Sequence, residues 1–355
     1  MGSVFGRYFT VSTFGESHGA AVGAVVDGVP AGLDLDPARI QQELDRRRPG
    51  TSPYVSPRNE TDQAEILSGT AGGKTLGTPI AILIRNRDVR SKDYDAIREM
   101  FRPGHADYTY FKKYGVPPQP GGGRSSGRET AGRVAAGAVA KIFLESRGVT
   151  VRGCTVGVGP VRAARVDYVF AESHPLRCAD PDAAQAMTDL VDQAREQGDS
   201  IGGLVETTAF GAPAGLGDPV FHKLEASLGG AALSIGGVKG VEFGTGFELA
   251  RRRGSEANDQ ISEEGFLSNH CGGILGGIST GQPIIMRLAV KPTSSISKPQ
   301  STIDLAGKNR TIQTRGRHDP CLCARIVPVA EAMTALVLAD ALLEQTARRG
   351  EWKCG

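Results

Sequence analysis

Two pieces of this sequence occur twice, in the same order. GVPAGLDLDPARIQQEL (28–44) returns as GAPAGLGDPVFHKLEASL (211–228), and GGKTLGTPIAIL (72–83) returns as GGISTGQPIIMR (276–287). The first pair shares Gly-x-Pro-Ala-Gly-Leu, followed by Asp-Pro and a helix pattern. The second shares Gly-Gly-x-x-x-Gly-x-Pro-Ile running into a strand. One such match is ordinary turn punctuation. Two in one order predict a duplicated α/β unit, whose copies bury their apolar faces by packing sheets on helices and leave a cleft between or beside them. No low-complexity linker separates the halves, so residues 1–355 are expected to form a single domain of the α+β class.

Local signals agree with this plan. Asp36-Pro37 opens a helix with Ile40 and Leu44 on one face and Arg46, Arg47 and Arg48 in its last turn. Asp180-Pro181 repeats the grammar, with Ala184, Met187, Leu190, Val191 and Ala194 apolar and Gly198 closing it. Ser126-x-x-Glu129 is a capping box before Val134, Ala135, Ala138, Val139 and Ile142. A last helix is expected over Val329–Arg348. Val22–Val26, Ile80–Ile84, Leu204–Phe210 and Ile284–Val290 read as strands.

Composition narrows the class of function. A net charge of +2 gives no reason to expect nucleic acid or membrane as a partner. No run of eighteen uninterrupted apolar residues occurs, so no transmembrane helix is expected. MGSVFGRYFTVSTFGESHG lacks a basic region followed by an apolar core, so no signal peptide is expected either. The 6 cysteines form no CxxC pair, and Cys321-Leu-Cys323 is too tight for zinc. Reduced thiols, a cytoplasmic location and no metal are the expectation.

The loops carry the chemistry. Gly121–Gly127 is a bare loop before a helix, and Arg124, Ser125 and Ser126 add a fork of donors and two hydroxyls, which together make an anion site. Arg102 and His105 flank a Pro-Gly turn in FRPGHADYTY. GESHG holds Ser17 and His18, adjacent in sequence, whose side chains are expected to diverge. RHDP (317–320) and KPTSS (291–295) place a cation, an imidazole, a carboxylate, a lysine and hydroxyls near a helix and a strand end. Three arginines at one helix end exceed what the helix dipole needs and suit a polyanion. SGTAGGKT (68–75) imitates a P-loop but has Ser68 where the first glycine belongs, and Pro79 follows closely. No GxSxG elbow occurs. The loops fit a small, heavily charged, phosphate-bearing ligand and leave phosphate transfer, elimination and isomerisation equally open.

Longer motifs decide among these. GESHGAAVGAVVDGVP (15–30), GGRSSGRETAGRVAAGAVA (122–140) and RHDPCLCARIVPVAEAM (317–333) closely resemble the three signatures of the chorismate synthase family. DRRRPGTS, FRPGHADYTY, SNHCGGILGGIS and KPTSS match the same family in order. The resemblance runs from about Phe5 to Leu343.

It implies a β-α-β sandwich and a homotetramer. It implies a reaction that turns 5-enolpyruvylshikimate 3-phosphate into chorismate and phosphate by an anti 1,4-elimination of the 3-phosphate and a C6 hydrogen. Reduced FMN is required without net redox change, because electron donation from the reduced ring helps expel phosphate from a substrate with no acidic C6 proton. An external, NADPH-derived reductant is expected to supply it. By resemblance, His18, His105, Asp319 and Ser17 are catalytic. Arg47, Arg48, Arg102 and Arg133 bind substrate. Arg124, Ser125, Ser126, Gly236, Gly237, Gly276, Lys291, Pro292, Thr293, Ser294, Ser295 and Arg317 contact the cofactor. The chain departs from the family at Pro53, where many relatives carry arginine, and at Gly236-Gly237, where Asn-Ala is common and only backbone contacts survive. The competing readings are an FMN-dependent oxidoreductase acting on a phosphorylated metabolite, which would consume reductant stoichiometrically, and a non-enzymatic binder of such metabolites.

Overall fold

The computed structural model of the chain describes residues 2–56, 60–87, 99–314 and 318–349. Its first half runs β1 (Val4–Phe5), β2 (Thr10–Gly15), β3 (Ala21–Asp27), α1 (Pro37–Arg47), β4 (Ala64–Ile66), β5 (Thr70–Ala71), β6 (Lys74–Thr75), β7 (Ile80–Arg85), α2 (Asp107–Tyr114) and α3 (Thr130–Glu145). The second runs β8 (Thr150–Val158), β9 (Val161–Arg162), α4 (Tyr168–Ser173), α5 (Pro181–Glu196), β10 (Gly203–Phe210), α6 (Leu224–Leu233), β11 (Val238–Phe243), α7 (Gly254–Ala257), β12 (Ile261–Ser262), β13 (Gly265–Phe266), β14 (Ile274–Leu275), β15 (Ile278–Ser279), β16 (Ile284–Val290), β17 (Gln300–Ile303), β18 (Asn309–Ile312) and α8 (Cys323–Arg349).

The duplication is visible in the topology. One 5-stranded antiparallel sheet has the order β1-β2-β3-β7-β4, and the other, read from its far edge, has β9-β8-β10-β16-β11. In each, a central strand leads through the Gly-x-Pro-Ala-Gly turn to a helix (α1 or α6), then to an edge strand, a short hairpin (β5-β6 or β14-β15), the next central strand and a long core helix (α3 or α8). The sheets enclose the helices, giving the β-α-β sandwich.

Alternation decides which faces turn inward. Val22, Ala24 and Val26 of β3 and Ile80, Ile82 and Ile84 of β7 are buried toward α3, as period-2 patterning dictates. Small residues let the layers close. A Cβ on Gly137 of α3 would overlap Ala332 of α8, and one on Gly132 would lie 2.7 Å from the Gly23 carbonyl. The helix layer also buries an ionic cluster. Glu331 of α8 accepts from Arg46 at the end of α1, at 2.9 Å to Oε1, and from Lys141 of α3, at 2.6 Å to Oε2.

Two helix expectations change. Glu129 does not complete a capping box: Ser126 Oγ accepts from Arg128 N at 3.3 Å, and a 3-10 turn (Gly127–Glu129) precedes α3. Glu129 instead accepts from Thr13 Oγ1 and from Arg133. The last helix begins at Cys323 rather than Val329, because Pro328 is retained inside it. By length and composition α8 is apolar enough to cross a membrane, although Glu331 and Thr334 interrupt its apolar run; 78% of that window is buried inside the protein.

Candidate active site

A cavity of 1330 Å3 opens where the loops of the two halves meet. The tight β2–β3 turn brings Ser17. The segment leading into α2 brings Arg102, His105 and Asp107, the loop before α3 brings Gly121 to Arg128, and the end of α1 brings Arg47. The second half adds Gly236 and Gly237, residues 291–295, and His318, Asp319 and Arg325.

The bare loop is bare for a steric reason. Gly121, Gly122 and Gly123 have φ of 65°, 86° and 52°, a region that favours glycine. A Cβ on Gly121 would collide with the His18 imidazole, and one on Gly122 would lie 2.9 Å from His105 Cε1. Both histidines therefore pack on the same stretch of backbone. The anion-loop expectation for Arg124 changes accordingly. Its guanidinium donates to Thr13 Oγ1 at 2.7 Å and to the Gly15 carbonyl at 3.3 Å, tying the loop to β2. Ser125 Oγ donates to the Gly122 carbonyl at 2.7 Å. Ser17 and His18 do not diverge as expected, since Ser17 Oγ lies 3.3 Å from His18 Nδ1.

Asp107 organises the side chains around the Pro-Gly turn. Its carboxylate takes both arms of Arg102, Nε at 2.7 Å and Nη2 at 2.8 Å, and Oδ1 lies 2.7 Å from His105 Nδ1. Burial alone would raise this carboxyl, but hydrogen bonds from Arg102 and His105 hold it well below the usual carboxylate range. Gly104, at φ 70°, forms the turn between them. Its carbonyl accepts from Lys291 Nζ and, at 2.7 Å, from Ser294 Oγ. Burial, with Lys239 nearby, pushes the Lys291 ammonium below its ordinary value.

The three arginines of DRRR separate. Arg46 enters the core cluster. Arg48 pairs with Asp45 at 3.0 Å and does not line the cavity, a correction to its expected place. Arg47, 1% exposed, reaches Asp62 and the Gly127 carbonyl, while its buried Nε has no partner among the described residues. Burial, with Arg325 and Arg128 close by, pushes this guanidinium down to about 10 despite the attraction of Asp62. Asp62 also holds Arg128, and its own carboxyl stays below its ordinary value because these two cations outweigh its burial. Arg133 spans Glu129 at 2.8 Å and Ser234 at 2.6 Å.

Asp319 has both carboxylate oxygens engaged, Oδ1 by Ser56 N at 2.7 Å and Oδ2 by Arg325 Nη1 at 2.8 Å, and its carbonyl accepts from Thr293 Oγ1. The Gly237 carbonyl accepts from Lys291 N at 2.9 Å, and Gly236 and Gly237 line the cavity. Pro292 and Ser295 also line the cavity. Gly276 does not; it sits at the tip of the β14–β15 hairpin with nothing within 4 Å of a Cβ. Arg317 lies outside the described residues. Sequence reasoning missed Asp107, Asp62, Arg128 and Arg325. The His-x-Asp spacing at 105–107 was a usable signal, whereas nothing local marks Asp62.

Comparisons with known proteins show the family. The family model described as Chorismate synthase matches residues 9–343. A solved structure described as "Crystal Structure of Chorismate Synthase" is 34% identical, with a TM-score of 0.75 over 96% of this chain and 93% of that chain. The chain belongs to the chorismate synthase family. It is a carbon–oxygen lyase of aromatic amino acid biosynthesis that converts 5-enolpyruvylshikimate 3-phosphate to chorismate and phosphate by anti 1,4-elimination, and its family requires reduced flavin with no net redox change.

Proposed function

We propose that the cavity holds FMN and substrate together and that the loop residues divide the work between them. The residues fit both groups. The volume, 1330 Å3, exceeds the roughly 300–1,000 Å3 of a single-ligand pocket. The orphaned Nε atoms of Arg47 and Arg325 are buried donors without partners among the described residues, as an anion site requires. Ser126, Gly236, Gly237, Lys291 and the Pro292–Ser295 stretch hold the flavin nucleotide, with Ser125 and Arg124 shaping the loop beneath it. When bound, reduced flavin supplies electron density that helps the allylic phosphate depart.

The chain's own groups do the rest. Arg47, Arg102 and Arg133 hold the substrate's anionic groups, for which desolvated guanidinium forks are suited. His105 donates from Nε2 to the departing phosphate, where negative charge grows. His18 and Ser17 would hydrogen-bond the reduced ring. Asp319, held by Ser56 and Arg325, handles the C6 proton at its carboxylate. Gly276 lies outside its own cavity, so within a homotetramer it would reach flavin only in a neighbouring copy. Residues 1–355 act as one domain in the cytoplasm, with the reductant supplied from outside, NADPH-derived.

The observation that carries this reading is that Ser17, His105 and Asp319 line one cavity with Gly121 and Gly122, while His18, outside that lining, packs on Gly121. The test is anaerobic. The protein is mixed with dithionite-reduced FMN and 5-enolpyruvylshikimate 3-phosphate, and phosphate and chorismate are measured. Both should appear over many turnovers per reduced flavin, and neither without reductant. His105→Ala and His18→Ala should each lower kcat on the order of 10²-fold or more. Stoichiometric consumption of reductant would establish an FMN-dependent oxidoreductase instead.

A further inference from the structure

Asp107 stands apart among the cavity residues because it touches two proposed substrate-side groups at once and is itself only 4% exposed. As the first residue of α2 it has a simpler job available, since an acidic side chain there complements the helix dipole. Its carboxylate instead turns back across the Pro-Gly turn. Oδ2 takes Arg102 N at 3.2 Å and Arg102 Nε at 2.7 Å, and Oδ1 takes Arg102 Nη2 at 2.8 Å and faces His105 Nδ1 at 2.7 Å.

This geometry settles where the ring proton sits. A carboxylate only accepts, so an Nδ1 lone pair at 2.7 Å would face oxygen with no proton between them. Nδ1 therefore carries the hydrogen. The 3.1 Å approach of Arg102 Nη2 to the same nitrogen is then a close pass rather than a bond, because Nδ1, carrying its hydrogen toward Oδ1, has no lone pair to accept another. With Nδ1 occupied, Nε2 is the atom left to act, and it lies on the Gly122 side, where a Cβ would come within 3.2 Å of it.

We propose that Asp107 is a positioning residue for the elimination: one carboxylate sets the His105 tautomer, so that Nε2 delivers the proton, and fixes the Arg102 fork beside it. In the step itself, the Nε2 proton of the imidazolium passes to a phosphate oxygen as the C3–O bond breaks. The ring is left neutral with Nδ1–H still bonded to Asp107, and the carboxylate stabilises the charge beforehand without becoming protonated. The inference rests on the reading that His105 meets the departing phosphate.

The experiment is a double-mutant cycle with Asp107→Asn and His105→Ala in the full chain with reduced FMN, reading kcat, KM and thermal midpoint. Asp107→Asn alone should lower kcat on the order of 10²-fold, by misorienting the ring. It should raise KM separately, through Arg102. On the His105→Ala background the further loss in kcat should fall to within about twofold, because the group through which Asp107 acts on the rate is gone. Asp107→Glu should recover part of the rate. If Asp107→Asn does not fold, Asp107→Glu replaces it in the cycle. Full activity in His105→Ala would overturn the reading of His105 and leave Asp107 without its object. An inactive His105→Ala together with a wild-type kcat in Asp107→Asn, or with an undiminished second loss in the double variant, would overturn the role of Asp107 alone.

Discussion

The two copies of the repeated unit differ most where their first two central strands connect. In the first copy, residues 16–20 turn directly from β2 into β3, and Ser17 and His18 sit on that turn. In the second, residues 159–202 fill the same step with β9, α4 and α5. The edge strands differ too: β1 precedes its partner β2, whereas β9 follows β8. The shared parts, from the Gly-x-Pro-Ala-Gly turn to the core helix, build the sandwich. The unshared steps bring Ser17 and His18 to the site in the first copy and cover a sheet in the second. Most of the cavity lining comes from loops inside the shared plan: Arg47, Arg102, His105 and Gly121–Arg128 from the first copy, Gly236, Gly237, residues 291–295 and Asp319 from the second.

That contrast can be broken at the seam between the copies, where the largest effect is expected. Glu331 of the second copy is buried against Lys141 and Arg46 of the first. Glu331→Ala removes the most buried partner of Lys141 and Arg46, leaving Glu43 to both and Glu172 to Arg46, and should destabilise by up to about 3–5 kcal/mol in urea unfolding. Burial alone would raise the Glu331 carboxyl, but Lys141 and Arg46 hold it below its ordinary value. Its stabilising contribution is therefore complete above the unfolded carboxyl value of about 4.3 and is lost as pH falls through the lower folded value. Unfolding measured from pH 6 downward should show the Glu331→Ala and parent curves converging; a constant gap would contradict the assignment.

A smaller loss, in activity rather than stability, is expected at Gly121. Alanine there meets the His18 ring and a φ of 65°. The rate of chorismate formation should fall on the order of 10²-fold. The smallest effect is expected at Gly72, which also has positive φ but open space around it, like its counterpart Gly276. Gly72→Ala should lose about 1–2 kcal/mol of stability and keep its kcat/KM. A large activity loss at Gly72 would mean that the hairpins do more than punctuate.

The parts of the fold legible in the sequence were those with one-dimensional signals. Asp36 and Asp180 cap α1 and α5 where the Asp-Pro grammar put them, and β16 spans Ile284–Val290 as read. Strand β8, VRGCTVGV after Thr150, was missed because its glycines interrupt the pattern and most of it is buried on both faces. The start of α8 was placed too late because a proline normally ends a helix, whereas here the buried surroundings retain Pro328. Motifs located the loops of the candidate site but not the work each residue does in the fold. Arg48 looks like Arg47 in sequence, and only the end of the helix decides which of them faces the cavity. Arg124 reads as an anion donor, but the nearby β2 carbonyl and hydroxyl engage its guanidinium first. Asp62 is separated in sequence from both arginines it holds, so no spacing could reveal it.

Lys291 and Ser294 grip the Gly104 turn from 187 and 190 residues downstream. The turn is therefore held twice: Asp107 grips Arg102 and His105 from within the same segment, and Lys291 and Ser294 close over it from the far half of the chain. A polypeptide cut short of residue 291 would keep the local bonds and lose the clasp.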